Sequence, residues 1–360
     1  MTYKHVFPNS SSLTSGNRQG SKVSIITRTK NRPILLVRAI YSVLSQTHED
    51  WQLIIVNDGG DRATLESLVG RFASAMKGRL HIVHHEVSKG MEAASNAGLQ
   101  LAVGEFIAIH DDDDAWQPTF LERSIRHLNQ PEFKDNAAVA SNCTVIFEKI
   151  DGDTVIETRR EAWANWKPQV DYKDLLCGNL FPPICMLIRK TVVDHLSGFN
   201  ESLPVLGDWD FILRLIQVGD IGTINEPLAY YYHREPASDP GIYGNSVLAG
   251  RPIHLEFNVK YRNSLMRAYA AQDPSAIGGM ITLIADLDAR EKRINERINH
   301  LEWLVGQATH TTHAPLVHGG YSYELHRAVQ GVNTALRIPR AIWRRLYPVR
   351  QLIAHFRGRI

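Results

Sequence analysis

Phe106-Ile107-Ala108-Ile109-His110-Asp111-Asp112-Asp113-Asp114-Ala115-Trp116 is the stretch whose reading decides the fold. The apolar run from Phe106 to His110, bounded by Gly104, predicts a short buried strand. Four consecutive carboxylates then stand at its carboxyl end. Like charges at a strand mouth cost self-repulsion and desolvation unless something positive meets them. A divalent cation does so: hard Mg²⁺ or Mn²⁺ takes carboxylate oxygens and usually brings substrate phosphates with it. An acidic run alone reads more simply as a solvated turn before the helix that Pro118 opens. The strand before it and Trp116-x-Pro118 after it favour the functional reading.

Working outward, Lys22 to Thr27 predicts a strand. Arg28-Thr29-Lys30-Asn31-Arg32-Pro33 follows, then a helix carrying Ile34, Val37, Ala39, Ile40 and Leu44. Trp51 to Asn57 predicts a second strand ending in Asp58-Gly59-Gly60. Gly90 to Gly98 starts a helix that leads into the acidic strand. Strands alternating with helices predict βαβ units and a mainly parallel sheet. Ligands on such sheets bind outside the carboxyl ends of the strands. Thr27 to Thr29, Asp58 and Asp111 to Asp114 all fall at such ends and should converge.

Five elements, in this order, carry a family likeness: Val23 to Arg32, Ile55 to Gly59, Gly90 to Gly98, the acidic cluster, and Gly207-Asp208-Trp209-Asp210. Through them residues 21 to 235 resemble the inverting glycosyltransferases of family 2, many of which build bacterial surface polysaccharides. The resemblance implies an α/β GT-A domain over residues 21–250, a Rossmann-like, mainly parallel sheet with flanking helices. It also implies a nucleotide-diphosphate-sugar donor, with UDP or dTDP favoured, a divalent cation (Mn²⁺ or Mg²⁺) on its phosphates, and an aspartate base. By position, Thr27, Arg28 and Thr29 line the nucleotide, with Asn31 and Arg32 beside them, and Asp58 accepts a hydrogen bond from the base. Asp111 and Asp113 stand at the two acidic positions of the D-x-D motif as metal ligands, with Asp112 between them on the donor. Lys89, Gly90 and Asn96 complete the donor side. Asp208 stands at the base position.

The chain departs from the family pattern in three places. Arg28-Thr29-Lys30 replaces a Pro-Thr-Tyr-like strand end. Ala94-Ser95-Asn96 replaces Ala-Arg-Asn and removes a cation that would face the donor, leaving Arg28, Lys30 or Lys89 to supply it. Gly207-Asp208 replaces Glu-Asp, keeping the base and losing its acidic neighbour.

Asp208 to Val218 predicts a helix with Phe211, Ile212, Leu215 and Ile216 inward. Asp208 shares that face, either as the base or as an N-cap. Asp210 lies about 200° around the helix and four residues before Arg214, which predicts a surface ion pair or first-turn charge. His233 follows the strand Ala229 to Tyr232, either as a structural residue or as a third metal ligand, and Arg234 beside it suits phosphate. Ala137 to Glu148 and Thr154 to Thr158 predict strands around the turn Asp151-Gly152-Asp153. Trp163, Trp166 and Tyr172 could stack on an acceptor sugar or pack a loop.

Met280, Ile284, Leu287, Ile294, Ile298, Leu301 and Val305 form a heptad stripe. It predicts a helical extension over 251–306, with 280–305 either self-associating as a coiled coil or packing on the catalytic domain. Residues 307–322 read as a linker and 1–20 as a flexible leader. Residues 323–360 form a basic amphipathic tail in which Arg337 to Arg359 alternate with apolar side chains. That composition suits an anionic membrane surface. Charge alone also admits nucleic acid, but no binding module accompanies it, so none is expected.

The chain has 360 residues, 44% hydrophobic, with a net charge of +2. Three cysteines without metal-ligand spacing fit a reducing compartment. No apolar run reaches the length of a membrane span. The expected location is cytoplasmic, peripheral at the inner face of the cell membrane, acting on a glycan or lipid-linked glycan acceptor. Two other classes compete. A sugar nucleotidyltransferase should carry a glycine-rich phosphate loop after the first strand, which Arg28 to Arg32 is not. A glycan-binding scaffold would lack the base and the acidic cluster.

Overall fold

The computed structural model describes residues 22–151, 154–164, 167–234, 251–272 and 276–311. The leader, Trp166, the glycine of the 151–153 turn and the basic tail lie outside the described residues.

Among the described residues nine strands form one sheet. The first half is built as the sequence predicts. Strands β1 (Val23–Thr29), β2 (Trp51–Asp58), β3 (Leu80–His85) and β4 (Phe106–Ile109) lie side by side in the order β3-β2-β1-β4, all parallel. Every residue of β2 is buried. A parallel strand covered by helices on both faces requires this, and it explains the continuous apolar run. The helices of this half are α1 (Pro33–Leu44), α2 (Arg62–Gly70), α3 (Ala73–Met76) and α4 (Met91–Leu99). Pro33 opens α1, where its missing N–H costs nothing.

The second half corrects the expectation of a mainly parallel sheet. Its elements are β5 (Ala115–Trp116), α5 (Phe120–Asn129), β6 (Ala138–Asp151), β7 (Thr154–Trp163), α6 (Tyr172–Cys177), β8 (Met186–Arg189), α7 (Lys190–His195), α8 (Gly207–Val218) and β9 (Ile221–Arg234). The sheet continues as β4-β8-β6-β9-β5, with β7 paired to β6. The pairs β4–β8, β6–β8, β6–β7 and β5–β9 are antiparallel, and only β6–β9 is parallel. The fold is therefore α/β with a mixed sheet and flanking helices. The short β8 reverses the direction, and the acidic cluster after β4 lies at that reversal. Such a switch opens a crevice at the strand ends.

Two helices follow, α9 (Arg251–Gln272) and α10 (Ala276–Thr311). The compact unit that holds the sheet runs to Arg262, and a second begins at Asn263. Helix α10 runs on to Thr311, past the expected linker start at 307, because nothing before that point breaks it. On its stripe, Leu287 and Ile294 are 54% and 42% exposed. No helix among the described residues is long and apolar enough to cross a membrane.

Candidate active site

The four aspartates have four different environments. Asp111 Oδ1 accepts from Arg28 Nε at 2.8 Å and from Arg28 Nη2 at 2.5 Å. Asp113 Oδ2 accepts from Arg32 Nη1 at 3.1 Å and from Arg234 Nη2. Asp112 is fully buried, with Arg32 Nη2 2.9 Å from its Oδ1, yet neither oxygen makes an aligned hydrogen bond. Burial, only partly offset by Arg32, pushes Asp112 up to about 7. Asp114 Oδ1 accepts the Tyr232 N–H at 2.9 Å and so ties the cluster to β9. Arginine side chains meet the charge that the sequence places at this strand mouth.

Of the three candidate cations, Arg28 is the one whose side chain meets the acidic cluster among the described residues. It leaves the end of β1, donates from Nη1 to Ser95 Oγ at 3.2 Å, and forks onto Asp111. Burial would lower its pKa, but Asp111, Glu92 and Asp208 outweigh that and hold it above the ordinary arginine value. Of the three candidates, Lys30 is exposed. Lys89 is exposed too, and its backbone N–H, not its ammonium, reaches the site.

Asp208 lies at the start of α8. The N-cap position belongs to Leu206, so the capping alternative does not hold. Its Oδ1 accepts the Trp209 N–H and its Oδ2 accepts Asn179 Nδ2, both at 2.8 Å. Burial raises its pKa, the Trp209 N–H and Arg28 oppose this, and Asp111 adds to it. Asp210 is not on the surface: it is 6% exposed, bonds Arg214 at 2.9 Å and accepts the Tyr261 hydroxyl. The helix-wheel reading put Asp210 outward, and that expectation is overturned: Tyr261 of α9 bonds it and it is buried, while Asp208 is half-buried.

Asp58 braces a loop. Its Oδ1 accepts His85 Nδ1 and the Lys89 N–H, both at 2.8 Å. Its Oδ2 accepts Ser88 Oγ at 2.6 Å and the Gly90 N–H at 3.0 Å. Burial would raise its pKa, but these four donors pull it below the usual carboxylate value. Gly59 has φ +73° against the Ser88 backbone, where a Cβ would clash. Asn31 Oδ1 accepts the Asp61 N–H at 2.7 Å, and Thr27 and Thr29 are buried at the end of β1. Asn96 does not join the donor side. Its amide bonds the Phe199 backbone both ways and also Glu201.

His233 does not join Asp111 and Asp113. Side chains alternate along β9, and Arg234 takes the face toward Asp113. His233 faces the other way, edge-on to Phe147 and Tyr231 at 5.5 and 4.5 Å. Among the described residues no group of three His, Cys, Asp or Glu is placed to hold a metal. Sequence reasoning missed Glu148. It is 2% exposed on β6 and holds both Arg38, at 2.6 Å, and Arg234, at 3.0 Å. Those two arginines reach the Asp113 carbonyl and carboxylate. A carboxylate late in a strand gave no local signal of this.

The glycosyl transferase family 2 model matches residues 24–196, which include the acidic cluster and end before Asp208. An uncharacterized glycosyltransferase of Bacillus subtilis, YwdF, is 30% identical over 194 residues, 54% of this chain and 67% of that protein. This chain belongs to glycosyl transferase family 2. A putative colanic acid biosynthesis glycosyl transferase of Escherichia coli, WcaA, is 36% identical over 108 residues, 30% of this chain and 38% of that one. Among solved structures, S. aureus TarS 1-349 in complex with UDP-GlcNAc is 18% identical, with a TM-score of 0.49. That match covers 60% of each chain.

Proposed function

We propose that this family 2 glycosyltransferase moves a sugar from a nucleotide-diphosphate donor, UDP- or dTDP-linked, to an acceptor hydroxyl with inversion. One observation carries this reading. Arg28 draws the ends of β1 and β4 together by binding Asp111, and it lies within the field of Asp208 at the start of α8. A charge-neutralising pair and the candidate base thus act on the same arginine.

Carboxylate oxygens are the donors a hard cation prefers, and two protein ligands suffice when phosphates and water complete the shell. Asp111 Oδ2 and Asp113 Oδ1 accept no hydrogen bond among the described residues, so the donor set fits Mn²⁺ or Mg²⁺. Asp111 and Asp113 would hold it. When bound, such an ion stabilises charge on the leaving diphosphate. Arg28 and Arg32 support the same negative charge from the β1 side. Asp208 takes the proton from the acceptor hydroxyl as its oxygen attacks the anomeric carbon from the face opposite the diphosphate. Asn179 and the Trp209 N–H hold that carboxylate in place. A base imide would be a fifth donor on Asp58, so uracil or thymine recognition there requires it to share an oxygen.

On the acceptor side, Trp163, Tyr231, His233 and Phe147 form a half-buried edge-to-face row across β7, β9 and β6. Aromatic faces of this kind suit sugar rings. The WcaA likeness supports an acceptor in polysaccharide biosynthesis; a lipid carrier at the cytoplasmic membrane face would present it. The basic tail would bring the enzyme to anionic lipid there, and α10, on which Leu287 and Ile294 are exposed, would pair two copies.

A nucleotide-sugar screen with NMR detection of the product anomer tests the reading. Metal-stimulated transfer or hydrolysis with inverted configuration is expected. Retained configuration, or full activity in excess chelator, would overturn the mechanism.

A further inference from the structure

Glu92, one residue into α4, is a carboxylate that the proposed chemistry leaves without a task. It is 5% exposed. Buried carboxylates usually have a positive or hydrogen-bonding partner. The backbone N–H of Glu92 itself bonds its carboxylate, and no other side chain among the described residues donates a hydrogen bond to it. Burial raises its pKa, Arg28 opposes the rise, and Asp208 and Asp111 add to it.

Gly207 gives this carboxylate its space. A Cβ built on Gly207 would overlap Oε1, Cγ and Cδ of Glu92. Gly207 is not among the residues with positive φ, so its backbone does not demand glycine. The demand is for room. Where the family resemblance places an acidic residue next to the base, this chain has a glycine on α8 and brings a carboxylate in from α4. The acidic group has changed helices but not its neighbourhood.

The direction it serves follows from the displacement itself. The transferred sugar must lie between the leaving diphosphate and the base, here between Asp111 and Asp208. Glu92 lies against Gly207, the residue before Asp208, and three residues along α4 Ser95 accepts from Arg28, which binds Asp111, so Glu92 stands beside both ends of that interval. Sugar hydroxyls are donors, and a carboxylate is an acceptor only. We infer that Glu92 accepts a hydrogen bond from a hydroxyl of the transferred sugar and thereby selects the donor, with Gly207 keeping the space that this requires. The inference rests on the donor site proposed above.

The test is calorimetric titration of the full chain, with Mn²⁺ present, with UDP, UDP-glucose, UDP-galactose, UDP-N-acetylglucosamine and dTDP-glucose. Wild type, Glu92→Gln and Gly207→Ala are compared, each checked for an unchanged far-UV circular dichroism spectrum. The nucleotide-sugar that wild type binds best should weaken about tenfold in Glu92→Gln, the difference between a charged and a neutral acceptor. UDP itself should bind all three proteins alike. Gly207→Ala should reproduce the effect by displacing the carboxylate, although it removes no polar group. Equal weakening of UDP and of the nucleotide-sugar, or no weakening of either, overturns the assignment. If wild type binds none of the five, the donor site itself fails and Glu92 falls with it. Wild-type binding of UDP separates the two failures.

Discussion

The hydroxyl of Tyr261 donates to Oδ1 of Asp210, 2.7 Å away and 51 residues earlier in the chain. Asp210 also holds Arg214, which in turn donates to the carbonyls of Leu196 and Gly198. Beside this pair, Arg262 stacks over Trp209 and caps the carbonyls of Leu176 and Cys177. The first half of α9 is thus pinned to the helix that presents Asp208.

Asp210→Ala should therefore be costly. It removes the carboxylate acceptor of a buried tyrosine hydroxyl and the charge partner of Arg214, and breaking such a pair costs about 3 kcal/mol. Tyr261→Phe, which removes one hydrogen bond, should cost about 1 kcal/mol. Urea unfolding at neutral pH measures both. Full stability of Asp210→Ala would show that the pin carries no weight.

Asp208→Asn keeps the shape and removes the base. Transfer should fall by roughly 10² or more while donor affinity stays similar. The pH dependence follows in sign. A base works deprotonated, and burial raises the Asp208 pKa, so activity should fall as pH drops through a value above the ordinary ~3.9. A rate profile flat down to pH 4 would exclude Asp208 as the base.

Arg28→Lys keeps the charge and loses the fork that meets both Asp111 and Ser95. Donor affinity should fall about tenfold or more, because a point charge cannot replace planar, multidentate contact. Restoring a guanidinium from the other side, as Arg28→Lys with Ser95→Arg, should recover part of the loss. Equilibrium titration with UDP decides this, and unchanged affinity in the single variant would remove Arg28 from the donor site.

Asp58→Asn should destabilise the β3–α4 loop by about 1–3 kcal/mol at pH 7, since four donors lose a charged acceptor. The folded pKa lies below the unfolded one, so this stabilisation is present above about pH 4 and is lost as pH falls through the folded value. The gap between wild type and variant in unfolding free energy should accordingly narrow toward pH 3. A constant gap would mean the carboxylate charge is irrelevant there.

Removing residues 335–360 should leave the sheet unit folded and abolish salt-sensitive attachment to anionic vesicles. Each basic side chain near such a surface contributes on the order of 1 kcal/mol. Co-sedimentation of the full and shortened chains at low and high salt is the measurement. Equal sedimentation would assign the tail to a protein partner.

Sequence alone determined the local elements and much of the chemistry. The run of β-branched residues in β2, Pro33 at the start of α1 and the apolar stripe of α8 each specify their element, because periodicity and backbone restriction act within a few residues. The acidic cluster was legible for the same reason: four charges at a strand end demand positive partners wherever the chain goes next. Tertiary structure alone decided which partners. Arg28 meets Asp111 across 83 residues and Arg234 meets Asp113 across 121, pairings that no local pattern encodes. The β8 reversal makes the sheet mixed, because short strands carry too little signal to declare direction. Alternation along β9 turns His233 from the cluster and Arg234 toward it, and only the register of β9 against β6 fixes which face is which. Glu92 under Gly207 is the clearest case. Spacing on each helix is ordinary, and the meaning lies in the void that a missing Cβ on one helix leaves for a carboxylate from another.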